Sequence, residues 1–276
     1  MIEEKISEIE DKIIPIKDFL ESNKNDDKYK SLYKGFITLE CPLVVNPDIL
    51  FIGINPGHGA FKENKNRGTN ETIRLFNPES EIIHDWFKDN TARGGNQGNG
   101  WKSYHWFQRD KPINNPFPAR MIDLLYEIAE YRFGKNEKDN FSEAPSWFKS
   151  FGQNIMHTNL YPIATTETKD LNKIFRHLKN EHEIKTILNK QNGLKEWDIK
   201  LFFISKIKNL VQLIQPKVIV CMGTTAFNDF TYTHEKKVDN IFKLEENNRP
   251  VIGFSRSGNW SGLISKLAKL IADELK

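Results

Sequence analysis

Cysteine is nearly absent: 276 residues carry two, Cys41 and Cys221. Both lie in apolar stretches, so neither a disulfide framework nor a cysteine-built metal centre or iron–sulfur cluster is available. They read as reduced core residues of a cytoplasmic protein. Long apolar runs are missing too, and none approaches the roughly 18 residues needed to span a bilayer. The amino terminus, MIEEKISEIEDK, is charged and has no signal-peptide core. Neither sign of charge dominates. Forty basic residues against 37 acidic ones leave a net charge of +3, which permits nucleic-acid binding without arguing for it, because a local basic face matters more than the total. His177 and His182 stand on a polar stretch with no facing ligand set and read as surface residues. GINPGHG lacks the Lys-Ser/Thr pair of a nucleotide-binding P-loop, and CMGTTAF lacks the three glycines of a dinucleotide fingerprint. No cofactor and no metal is implied.

What is present is a soluble globular composition, 38% hydrophobic and 28% charged, long enough for one large α/β domain. Ile2, Ile6, Ile9 and Ile13 predict a helix over 2–22, with Pro15 kinking or dividing it, inside an N-terminal helical extension at 1–30. Short extended pieces over 36–45 lead into an apolar strand at Ile49–Ile52. Met121, Leu124, Leu125, Ile128 and Ala129 make an amphipathic helix. A strand around 154–159 and a long helical region over 169–190, charged on most faces, come next, and the stretch 179–196 reads as a solvated helix and loop. A helix from Phe203 to Ile214 closes at Pro216, and the strand Val218–Cys221 runs into a helix opened by MGTTAF. Val251–Phe254 is the last strand, followed by a terminal helix carrying Leu263, Leu267, Leu270, Ile271 and Leu275. Alternation of this kind predicts a single three-layer α/β/α domain over 1–276, with a central, mostly parallel, four-stranded sheet covered on both faces. Residues 62–117 differ in kind. RGGNQGNG at 93–100 has loop composition, and the stretch reads as a large insertion lobe after the first motif.

The most informative stretch is Pro47 to Gly59, PDILFIGINPGHG. An apolar strand runs straight into a Gly-X-Asn-Pro-Gly turn, at the carboxyl end where open α/β sheets bind ligands. Gly53 and Gly57 let backbone approach a ligand closely, and Pro56 stiffens the bend. Asn55 both donates and accepts hydrogen bonds, so it is able to hold a water molecule against a reacting carbon. The plainer alternative is a strand-to-helix turn with no chemistry in it.

Three strand-end motifs occur in a fixed order: GINPG at 53–57, TNLYP at 158–162 and SRSGN at 255–259. In that order they resemble the uracil-DNA glycosylase superfamily. GINPG is similar to the first motif of its mismatch-specific and thymine-glycosylase branches, and TNLYP to the base-reading segment of the single-strand-selective branch. SRSGN matches in place, and partly in residues, the His/Asn-Pro-Ser loop that enters the minor groove. GTTAF sits where those families place a Gly-X-X-Ala turn. The likeness covers about 45–275, apart from the 62–117 insertion.

The resemblance implies a site. Asn55 would orient the attacking water, where the fastest branch has an Asp within Gly-Gln-Asp-Pro-Tyr-His. An amide cannot take the water's proton, and general-base help is typically worth about 10²–10⁴-fold, so a slow enzyme is expected. Gly53, Ile54 and Gly57 would border the base, and Asn159 would read its Watson–Crick edge, accepting from N3–H and donating to O4. Gly57 stands where the fast branch carries a Tyr over C5 of the base, so thymine or a bulkier 5-modified pyrimidine would fit as well as uracil. Phe61 or Phe76 would stack on the base, unless an aromatic of WKSYHWFQRDK at 101–111 does so. His58 either contacts phosphate or braces its loop. In the second motif Ser255 and Arg256 stand in place of His/Asn and Pro, while Ser257 keeps the Ser. Ser255 would donate to the base O2, Arg256 would meet phosphate or the minor groove, and Ser257, Gly258 and Asn259 would present backbone to DNA. Trp260 is either a wedge for the gap left by an extruded base or a packing anchor.

The expected function is monofunctional excision of uracil or a 5-modified pyrimidine from DNA, by base extrusion and water attack. The chain would act as a cytoplasmic monomer, in repair or in defence against phage with altered bases. One rival is a module of the same fold that binds damaged or foreign DNA and has lost catalysis with the second-motif His and Pro. The other is a small-molecule hydrolase on a similar sheet.

Overall fold

The computed structural model describes residues 2–36, 43–56, 116–134, 154–234, 241–255 and 260–276. In chain order the elements are α1 (Ile2–Ser22), β1 (Gly35–Phe36), β2 (Ile49–Gly53), α2 (Pro116–Phe133), β3 (Ile155–Asn159), β4 (Ile163–Ala164), α3 (Thr168–Leu178), α4 (His182–Ile187), α5 (Glu196–Ile214), β5 (Val218–Cys221), α6 (Thr224–Thr231), β6 (Ile241–Glu246), β7 (Arg249–Phe254) and α7 (Trp260–Glu274).

β2, β3 and β5 are buried at every residue. β2 and β5 are the unbroken apolar runs expected when both faces of a sheet are covered, whereas β3 (IMHTN) buries His157, Thr158 and Asn159 as well. The central sheet has the order β3-β2-β5-β7-β6. The first four strands run parallel, with Ile49 opposite both Ile155 and Val218, and Val220 opposite Ile252. These are the four strands the sequence predicts. The count of four is corrected to five, because β6 pairs antiparallel with β7 at the edge. The two join through Asn247 and Asn248, both at positive φ (51° and 59°), the backbone a two-residue hairpin turn demands. β1 and β4 form a separate antiparallel pair.

Alternate strand residues feed two cores. Leu50, Ile52, Met156, Ile219, Cys221 and Val251 face one cluster, shared with α1, α3, α5 and α6. Ile49, Phe51, Ile155, Val218, Val220 and Ile252 face the other, shared with α2 and α7. On the first face Phe227 of α6 lies over Gly253 and stacks on Phe242 of β6, ring centroids 5.4 Å apart. A Cβ at 253 would fall 2.5 Å from that ring, so the position excludes a side chain. On the second face α2 and α7 pack together, and Ser265 Oγ donates to Glu127 Oε2 at 3.1 Å.

Several local expectations are corrected. α1 runs unbroken through Pro15. A proline inside a helix costs about 3 kcal/mol, whereas Ile6, Ile9, Ile13, Ile16, Phe19 and Leu20 are all buried along this helix, each contributing about 1.5–3 kcal/mol. Packing wins. The 169–190 region is two helices, and the first is not charged on most faces, since Leu171, Ile174, Phe175 and Leu178 make a buried stripe. Nor is 179–196 wholly solvated: Ile184 and Leu194 are buried in it. The insertion assigned to 62–117 lies outside the described residues, except that 116–117 belong to the start of α2, where proline suits the first turn.

Candidate functional site

β2 and β5 are neighbours, yet their onward connections run to opposite edges of the sheet. β2 leads through α2 to β3, and β5 leads through α6 to β7. The crevice outside the carboxyl ends of two such strands is where open parallel sheets take ligands. Gly53 ends β2 on one side of it. On the other, Met222 and Gly223 follow β5, with Met222 N–H donating to Ile52 O at 2.8 Å. β3 and β7 bring Asn159 and Ser255 to the same end of the sheet.

The two candidate loops are bonded to each other. Leu160 N–H donates to Gly53 O at 2.8 Å, Tyr161 N–H to Ile54 O at 3.0 Å and Thr165 N–H to Pro56 O at 3.2 Å. GINP and TNLYP, more than a hundred residues apart in sequence, are therefore one backbone-bonded unit. Asn159 is 2% exposed and sits opposite Gly53 in the parallel register. Its Oδ1 occupies the space a Cβ at 53 would need, and Met222 Cε lies 3.5 Å from the same point. Gly53 is thus required by a close approach of the base-reading candidate. Ile54 packs its half-buried side chain on the α1/α5 core, so it borders the crevice chiefly with backbone.

Asn55 is half-buried and its amide nitrogen is fully engaged. Nδ2 donates to Ile163 O at 3.1 Å, Thr165 Oγ1 at 2.9 Å and Pro56 O at 3.1 Å. Carbonyl partners fix which end of the amide is nitrogen. Thr165 Oγ1 in turn donates to Glu167 O at 2.8 Å, at the start of α3.

Tyr161 gives TNLYP a second anchor. It is fully buried, donates to Asp229 Oδ2 of α6 at 2.7 Å and meets Phe175 edge-on at 5.2 Å. Burial, then the Asp229 carboxylate, pushes its phenol well above the ordinary tyrosine range. Lys200 Nζ lies 3.6 Å from that carboxylate. Ser255, directly after β7, is 3% exposed. Cys221 at the end of β5 is buried, and burial pushes its thiol up, which leaves it an inert core residue; Cys41 lies outside the described residues.

Among the expected site residues, the structure brings Gly53, Ile54, Asn55, Asn159 and Ser255 to one end of the sheet. Gly57, His58, Phe61, Phe76, Arg256, Ser257, Gly258 and Asn259 lie outside the described residues, as does the aromatic run at 101–111. Trp260 is the first residue of α7. Sequence reasoning missed Thr165 and Met222. The first had no signal beyond following TNLYP, and the second sits in CMGTTAF, whose pattern draws attention to the glycine and the helix it opens rather than to the methionine. His177 is half-buried and packs edge-on against Tyr29 at 5.8 Å, while His182 is exposed. Among the described residues no group of three or more His, Cys, Asp or Glu is placed to hold a metal ion, and no helix is long and apolar enough to cross a membrane. No protein-family model matches this chain, and no curated protein matches it.

Proposed function

We propose that this chain is a monofunctional DNA glycosylase. It would hydrolyse the bond between deoxyribose and uracil or a 5-modified pyrimidine, on a single three-layer α/β/α domain of the uracil-DNA glycosylase kind. The observation that carries the reading is the pair of amides. Asn55 and Asn159 follow or end adjacent parallel strands at the ligand-binding end of the sheet, in loops hydrogen-bonded to each other. Breaking an N-glycosidic bond gives an oxocarbenium-like sugar and a departing base anion. The site must therefore hold a water at C1′ and stabilise negative charge on the base, for which preorganised polar groups at strand ends are suited.

In this mechanism the base is extruded from the stack. Asn159 reads it, accepting from N3–H and donating to O4. Asn55 Oδ1 accepts from the attacking water and aims it at C1′. The C1′–N1 bond breaks with its electron pair going to the base, and the water oxygen bonds to C1′ and gives up a proton to solvent, from which the departed base anion is protonated. Ser255 and the backbone of 255–258 stabilise the leaving anion. We read the protein as a cytoplasmic monomer.

The test is incubation with oligonucleotides containing uracil or 5-substituted pyrimidines, single- and double-stranded, followed by alkaline cleavage of abasic sites. Strand breaks at the modified position are expected. No break on any pyrimidine substrate at high enzyme excess, with tight binding to uracil-containing or abasic DNA, would replace this reading with the DNA-binding module. Failure to bind any DNA at low salt would point to a small-molecule hydrolase.

A further inference from the structure

Three acceptors surround the Asn55 amide nitrogen, and one of them is a side chain. Ile163 O and Pro56 O are backbone, whereas Thr165 Oγ1 at 2.9 Å is the closest of the three. Thr165 is 1% exposed. Its one hydroxyl proton goes to Glu167 O at 2.8 Å, so towards Asn55 it acts only as an acceptor. This fixes the direction of a short relay, Asn55 amide to Thr165 hydroxyl to the carbonyl that precedes α3. Hydrogen bonds in series strengthen one another.

The arrangement decides which end of the Asn55 amide faces outward. Turning the amide over would set Oδ1 against two carbonyl oxygens and a hydroxyl whose proton is already spent. Oδ1 is therefore the end left to meet a ligand, and among the described residues no hydrogen bond reaches it. Thr165 is held in register with the same turn through its own backbone, N–H to Pro56 O at 3.2 Å. Hydroxyl, amide and turn are thus bonded into one unit.

We infer that Thr165 is the positioning residue of Asn55: its buried hydroxyl holds the amide so that Oδ1 is aimed at the nucleophilic water. The inference rests on the glycosylase reading for the water, and on the Thr165–Asn55 geometry for the positioning. Thr165 is buried, its hydroxyl is engaged by Asn55 and Glu167, and it acts through Asn55.

The test compares Thr165→Val, which removes the hydroxyl and keeps the shape, with Thr165→Ser, which keeps the hydroxyl. Single-turnover excision from a uracil oligonucleotide and the Kd for that oligonucleotide are measured on the full chain. In parallel, the Asn55 side-chain amide signal is followed by ¹⁵N NMR, assigned by its loss in Asn55→Ser. Thr165→Val is expected to slow excision about tenfold, the worth of one buried hydrogen bond, with Kd unchanged, and Thr165→Ser to restore the rate. The Asn55 amide signal should shift and exchange faster in Thr165→Val and stay put in Thr165→Ser. Equal rates in wild type and Thr165→Val, or the same loss in Val and Ser variants, would overturn the inference.

A wild type that releases no base would sink the glycosylase reading alone. The NMR comparison then decides the positioning, and an Asn55 signal indifferent to the Thr165 hydroxyl would overturn it. Should Thr165→Val not fold, the wild type suffices. Its Asn55 amide protons should exchange at least about tenfold more slowly than those of exposed Asn192, and equal exchange would overturn the inference.

Discussion

Asn159 Oδ1 lies over Gly53, its partner in the parallel β2–β3 register, closely enough that a Cβ at 53 would collide with it. A glycine at the end of β2 and a buried amide at the end of β3 are thus one feature. Gly53→Ala leaves the backbone unstrained but pushes the Asn159 amide aside in a closely packed setting. We predict a stability loss of about 1–3 kcal/mol and excision reduced to the level of Asn159→Ala. In an Asn159→Ala background the cost of Gly53→Ala should largely vanish, because the obstacle is gone. Urea melts of the four-member cycle measure this, and additive losses would show that Asn159 is not what the new methyl meets.

The nitrogen end of the Asn55 amide faces only acceptors. A carboxylate there would oppose two carbonyl oxygens and Thr165 Oγ1, so its pKa rises or the side chain swings away. Asn55→Asp is therefore expected to lose activity at neutral pH rather than gain a general base. The neutral acid is the form that fits, so the destabilisation, about 1–3 kcal/mol at pH 7, should shrink as pH falls towards the unfolded carboxyl value of about 3.9. Urea midpoints at pH 4 and pH 7 check it. A variant as stable as wild type and faster at pH 7 would contradict the account.

At the opposite end of the sheet Asp48 precedes β2 and is 8% exposed. It accepts from Arg132 Nη1 of α2 at 2.8 Å and pairs with Lys217 Nζ at 2.6 Å. Burial alone would raise its pKa, but the Lys217 and Arg132 hydrogen bonds and charges outweigh burial and hold it low. A depressed carboxyl contributes stability above the unfolded value, about 3.9, that is lost as pH falls through the folded value. Asp48→Asn should cost about 1.5–3 kcal/mol at pH 7 and flatten the acid limb of the stability profile below about pH 4. Thermal melts from pH 2 to 7 measure both, and an unchanged acid limb would show that other carboxylates control it.

Selectivity is predicted to lie at Gly57. A tyrosine ring over C5 of the base clashes with a methyl or larger group and leaves hydrogen untouched. Gly57→Tyr should suppress excision of 5-substituted pyrimidines far more than of uracil in single-turnover rates with enzyme in excess. Equal losses on both, in a folded variant, would assign Gly57 to the backbone alone.

β2 and β5 were legible because burial on both faces leaves unbroken apolar runs such as Val218–Cys221. β6 was not, because IFKLEE alternates a half-buried face with Lys243 and Glu245 and so resembles a charged loop. Its recoverable signal was Asn247-Asn248 between two pairing segments. That Asn55 follows one strand and Asn159 ends another was legible from the apolar stretches before them. Their supports were not: the Thr165 hydroxyl, the Asp229 partner of Tyr161 and the cover on Gly53 by Asn159 are contacts across the fold, which local pattern does not encode. Pro15 misled because a proline's helix propensity does not register how far burial of six apolar side chains holds α1 down.

The central claim is that Asn55 presents a water to the sugar and Asn159 holds the base. It is tested most directly by chromatographic measurement of free base released from uracil- and 5-substituted-pyrimidine oligonucleotides by wild type, Asn55→Ala and Asn159→Ala, alongside Kd for the same DNA. The account predicts base release by wild type and a loss of about 10²-fold or more in Asn55→Ala, equal across substrates and with Kd unchanged. For Asn159→Ala it predicts a loss that includes weaker binding of uracil-containing DNA. Base release unaffected by Asn55→Ala, or DNA bound tightly by wild type with no base released, would contradict it.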